Sequence, residues 1–245
     1  MNIFFKTFFL LFLLFLVSFP TIAQNSLDKT TFSNAIAFAV SWRSDYFLIA
    51  DLTSEDALKY NSISAQIQYY EENFGQTTLG ELSEPYVIYK NLGGGSFYLD
   101  GIYYDSGKKR YKKPIGNIEA DILIVRNNYA VLYNEDGNKR EDGHFTLDKE
   151  GRFSERQGRH PSDTEIQYTP DGKIKYYTVD RHKHLFKFKD GNVSEEEHID
   201  PSNDVAHIKY DIVEVNDSRH WTVIDLSVMV DGEKYNYARI LRTFN

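Results

Sequence analysis

The sequence predicts a mainly β protein: an antiparallel β-meander, arranged as a sandwich, barrel or open sheet, with one N-terminal helix packed on it. Three observations carry this reading. The stretch 164–189, TEIQYTPDGKIKYYTVDRHKHLFKFK, alternates apolar and polar residues between two turn signals. All 18 tyrosines lie beyond residue 23, and tyrosine suits half-buried strands, where the ring packs and the hydroxyl reaches water. From Glu84 onward, short apolar runs are separated by Gly, Pro and Asn, which punctuate strands.

The N-terminus carries one early charge, Lys6, an apolar run from Phe8 to Val17, and the small-residue site Thr21-Ile22-Ala23. This is the pattern of a secretory signal peptide cleaved after Ala23. The run falls short of the roughly 20 apolar residues that a membrane span needs. Removing 23 residues from 245 leaves 222, read as a single β-rich domain over 24–245 with a soft boundary near 105–117. The formal charge moves from −8 to −9 with the loss of Lys6. Cysteine is absent, so disulfides, thiol nucleophiles and thiolate metal sites are excluded.

Along the chain, Ile36, Phe38, Val40 and Trp42 alternate with small residues, which predicts a strand paired with Tyr46 to Leu52. Thr53 or Ser54 caps a helix predicted over 54–74, with Ile63, Ile67, Tyr70 and Phe74 on one face. Strands follow at Pro85 to Tyr89 and Ser96 to Tyr104, and Asn127-Asn128 closes a hairpin between Asp121–Val125 and Tyr129–Tyr133. The polar stretch 134–163 marks a second boundary.

In the central meander, Thr169-Pro170-Asp171-Gly172 predicts a three-residue hairpin loop that pairs Tyr168 with Ile174 and Ile166 with Tyr176. A second three-residue loop, Asp180 to His182, would set Tyr176 against Phe186 and Ile174 against Phe188. The segment Tyr168 to Tyr177 resembles one unit of the Tyr- and Asp-rich repeats of bacterial cell-surface shells. Such arrays repeat the unit many times, and a plain meander accounts for the single copy here.

The predicted register places Lys175 opposite Lys187 and Lys173 opposite Lys189, a square of ammonium groups that forms an anion-facing surface. Either Glu195 to Glu197 fold back to neutralise it, or an acidic partner does. His182 and His184, two apart, would share a strand face, but the other five histidines show no ligand spacing. Gly93-Gly94-Gly95-Ser96 lacks the Lys of a phosphate loop and the later Gly of a nucleophile elbow, so it reads as a connection. The acidic run Glu195 to Asp204 lacks the spacing of a calcium loop, and Lys108 to Lys113 reads as a charged edge.

These features point to an exported, secreted or periplasmic, non-catalytic binding or structural module of the envelope or extracellular space. No cofactor and no metal are expected. The acidic balance argues against nucleic acid, there is no stable membrane insertion after signal removal, and the expected partner is a polysaccharide, an anionic surface or an envelope protein. The alternatives are a hydrolase acting on envelope or environmental polymers and a β-barrel holding a small ligand.

Overall fold

The computed structural model describes residues 27–41, 48–73, 76–115, 119–134, 136–157 and 164–245. The segments 1–26 and 42–47, which include the predicted signal peptide, its cleavage site and Trp42, lie outside the described residues. Two helices, α1 (Lys29–Val40) and α2 (Ser54–Lys59), precede the strands. The first half of the sheet is β1 (Ser62–Asn73), β2 (Gln76–Leu82), β3 (Tyr86–Gly93), β4 (Ser96–Leu99), β5 (Ile102–Asp105), β6 (Arg110–Ile115), β7 (Glu119–Val125) and β8 (Tyr129–Tyr133). The second half is β9 (Lys139–Leu147), β10 (Phe153–Gln157), β11 (Thr164–Tyr168), β12 (Ile174–Val179), β13 (His182–Lys189), β14 (Asn192–Ile199), β15 (Val205–Val215), β16 (Trp221–Val230) and β17 (Glu233–Phe244).

From β3 to β17 each strand pairs antiparallel with the next, and β1 closes the ring by pairing with both β17 and β3. The result is a 16-strand antiparallel barrel, with β2 paired to the far half of β1. Closure removes the sheet edges that an open meander would expose. The mainly β meander with an N-terminal helix is therefore the observed architecture.

The helix lies elsewhere than the residue pattern suggested. Residues 32–40 of α1 are all buried, and the helix touches β4, β5, β10 and β12, which stand on different arcs of the ring. It therefore runs inside the barrel. Sixteen strands enclose a lumen that in other barrels is wide enough for water-filled passage; here the helix fills it. Phe32 packs edge-on to Tyr89 with ring centres 6.1 Å apart, and Phe38 meets Tyr111 at 6.5 Å and Phe145 at 6.1 Å. Each such side chain contributes about 1.5–3 kcal/mol by leaving water. Asn34 adds a polar clamp, accepting from Phe153 N (2.9 Å) and donating to Gly151 O (3.1 Å).

Three sequence expectations are corrected here. The alternation at Ile36 to Val40 belongs to a helix capped by Asp28, whose carboxylate accepts from Thr31 N at 3.0 Å. A helix surrounded by wall has no polar face, so its 3.6-residue signature disappears. The helix predicted over 54–74 ends at Lys59, and Ile63 and Ile67 lie on strand β1. The capping box at Thr53 and Asp56 is present, yet only six residues follow it as helix.

The third correction concerns register. Tyr168 does pair with Ile174, but a β-bulge follows and Ile166 pairs with Tyr177. The next turn holds two residues, Asp180 and Arg181, both at positive φ, so Tyr176 pairs with Leu185 and Tyr177 with His184. Two one-residue displacements cancel, and Phe186 stays on the core face while Tyr177 replaces Tyr176 there.

The inner face of the wall is apolar, and its outer face mixes charged side chains with exposed apolar ones such as Val205, Val213, Val215, Tyr235 and Tyr237. Along β13 to β15 the inward set includes His184, Phe186, Val193 and Tyr210, all buried, whereas Lys183, Lys187, Lys189, Lys209 and Asp211 are exposed.

Candidate functional site

With the lumen filled, the wall and its openings are where a ligand can be met. The ladder between β14 and β15 runs from Ile199 opposite Val205 to Glu195 opposite Lys209 and stops there. Beyond it, β14 is tied to the turn between β15 and β16, where Asn192 Nδ2 donates to Arg219 O at 2.9 Å. Between these two ties a cleft of about 680 Å³ opens in the wall. Its lining includes Lys189, Asn192, Ser194, Lys209, Tyr210 and Arg219, with Ile212 and Val215 supplying apolar surface.

The four lysines expected to form one surface are dispersed. Lys173 is buried, with Nζ 2.7 Å from Gly191 O and 3.2 Å from Asp171 Oδ2. Lys175 stands exposed in the bulge, out of line with Lys187. Lys187 pairs with Glu195 at 2.6 Å, on the exposed outer face. Lys189 alone of the four lines the cleft. The square does not form because the two-residue turn shifts β12 by one position against β13, while the bulge between β11 and β12 takes Lys175 out of the ladder.

A second polar assembly lies inside the wall, across β12 to β15. His184 Nδ1 is 2.7 Å from Glu196 Oε1, and the Tyr210 hydroxyl donates a hydrogen bond to Glu196 Oε2. Burial first, and then the Glu196 charge, push the Tyr210 hydroxyl well above its ordinary range, so it remains a donor. Tyr177 stacks on one face of His184 at 4.4 Å and His198 on the other at 4.5 Å, while His182 Nδ1 lies 2.9 Å from His198 Nε2.

A carboxylate that orients an imidazole is half of a general-base arrangement. Among the described residues no nucleophilic side chain completes it: His184 Nε2 is buried and makes no hydrogen bond to them. His184 is 1% exposed and Glu196 5%, so substrate has no access. Among the described residues no three His, Asp or Glu side chains are grouped to hold a metal ion. The assembly ties four strands together from within.

Sequence reasoning noticed His182 and His184 but missed Glu196, His198 and Tyr210 as their neighbours, because cross-strand partners depend on register. The cleft gave no local signal at all, since it arises where a ladder ends.

Fold and sites together define a closed antiparallel barrel filled by its own helix. No protein-family model and no curated protein matches the sequence. Among solved structures, a porin-like protein from Bacteroides uniformis aligns over 76% of this chain and 98% of its own, at 11% identity and a TM-score of 0.27. A DUF1329 family protein from Desulfovibrio piger aligns over 88% of this chain and 92% of its own, at 8% identity and a TM-score of 0.26. Likenesses this distant carry no weight for function.

Proposed function

We propose that this chain is an exported, envelope-associated barrel that binds its ligand on the outside of the wall and performs no catalysis. One observation carries the reading: α1, buried all round, occupies the space in which a barrel would hold a small ligand. The exposed Lys183, Lys187, Lys189, Lys209 and Asp211 of β13 to β15 fit a wall that meets its ligand in water. The sealed His184–Glu196 pair speaks against hydrolysis at the place where its chemistry would otherwise be expected.

Co-sedimentation of the purified protein with isolated insoluble envelope material, with the supernatant assayed for released sugars and peptides, tests this. Retention with no released product is expected. Turnover of the polymer would overturn the non-catalytic reading. Stoichiometric uptake of an apolar fluorescent probe such as N-phenyl-1-naphthylamine would overturn the filled lumen.

A further inference from the structure

We infer that the opening between β14 and β15 is a binding site for an acidic saccharide, with Lys189, Lys209 and Arg219 as its charge-recognising groups. This rests on the reading of the barrel as an outward-facing binder and supplies the class of its ligand.

The first support is charge. Two pairs beside the opening are internally neutralised, Lys187 with Glu195 and Lys234 with Asp211, each at 2.6 Å. Among the described residues Lys189, Lys209 and Arg219 form no ion pair, and the one unpaired acid on the rim is Asp190. Lys209 stands opposite Glu195, which it shares with Lys187; with Lys187 and Lys234 counted, five cations meet the three carboxylates of Asp190, Glu195 and Asp211, a local positive excess in a chain of net charge −8. An anion is the complementary ligand.

Backbone is the second support. Asn192 to Ser194 and Asp211 to Ile212 make no ladder bonds to one another across the gap. Peptide groups in such a gap offer closely spaced donors and acceptors, while the Ser194 hydroxyl and the Asn192 amide are held by Lys187 O and Arg219 O at its border. A polyhydroxylated ligand uses such a set; a lone inorganic anion does not need it.

Surface completes the case. Ile212 and Val215, both exposed, make an apolar flank for the C–H face of a sugar ring. The volume, about 680 Å³, lies in the range of small-ligand sites.

The test uses a tetramer of galacturonic acid, neutral maltotetraose and poly-glutamate as probes, each titrated calorimetrically into the mature protein at low salt. The uronic tetramer should bind and weaken as salt rises, and maltotetraose should bind far less. The double variant Lys209→Gln, Arg219→Gln should lose about ten-fold or more in affinity, since each lost charge-assisted bond counts. Lys175→Gln, exposed outside the cleft, should bind as the parent does, and matched melting temperatures show that both variants are folded. Equal binding of neutral and acidic tetramers, or unchanged affinity in the double variant, would overturn the inference. Binding of poly-glutamate alone would point to an acidic protein and overturn it too. If the parent and the double variant are retained equally by envelope material, this inference fails while the outward-binding reading stands. If the parent is not retained at all, that reading fails first.

Discussion

Arg242 shows at the scale of one residue how the interior is tied to the wall. Its guanidinium makes two bonds of 2.9 Å to the Asp51 carboxylate, lies 3.7 Å above the Trp221 ring, and is fully buried with its partner. Replacing Arg242 by Met leaves Asp51 charged and alone inside the barrel, at a cost of about 3–5 kcal/mol. Urea unfolding of Arg242→Met should show that loss, and the double variant with Asp51→Leu should recover part of it. A loss under about 1 kcal/mol would mean that the pair is not buried as described. His198 supplies a second prediction. Burial, and then the neighbouring His184, hold its imidazole below the ordinary value of 6.5. The unfolded chain takes up that proton first as pH falls, so the stabilising contribution is complete above about pH 6.5 and declines below it. Glu196, His182 and Asp200 also act on this ring, and Asp56, whose carboxyl is held below 3.8, titrates outside this window. The fall in urea midpoint from pH 7.5 to pH 5.5 should be smaller in His198→Gln than in the parent. An equal fall in both would remove His198 as a cause. The sequence displayed these histidines but not their contacts, because His198 reaches His184 only through the pairing of β13 with β14.

At the scale of elements, α1 is the part least legible in the sequence and the most consequential. Its large and small residues alternate like a strand, and with a wall on every side there is no polar stripe to betray its period. Strand β1 failed for the converse reason: Ile63 and Ile67 stand four apart, a spacing that a helix and a strand both allow. Hairpins were legible where turn chemistry was strong, as at Asp171-Gly172, and lost a residue where a bulge intervened at Lys175. The packing of α1 is testable by truncation. Phe38 is wholly buried between Tyr111 and Phe145, so Phe38→Ala should cost about 3–5 kcal/mol through lost burial and a cavity the closed wall cannot collapse around. A cost under about 1 kcal/mol in chemical denaturation would place the ring outside the core.

For the whole molecule, composition and turn spacing were enough to indicate an antiparallel β meander, while closure was not readable from them. Closure depends on β1 meeting both β3 and β17, and the second of these contacts spans almost the full described chain and leaves no local mark. The lysines and glutamates of β13 to β15 were visible in the sequence, but which of them face outward could be assigned only once the register was known, as buried Glu196 beside exposed Lys187 shows. The central claim is that a 16-strand ring is filled by its own N-terminal helix, which leaves the outer wall for recognition. Native-state amide hydrogen exchange tests this without altering the chain. Amides of Phe32 to Val40 should exchange as slowly as those of the central wall strands, opening only with global unfolding. Rapid exchange across α1 while the wall stays protected would show the helix outside the barrel and contradict the account.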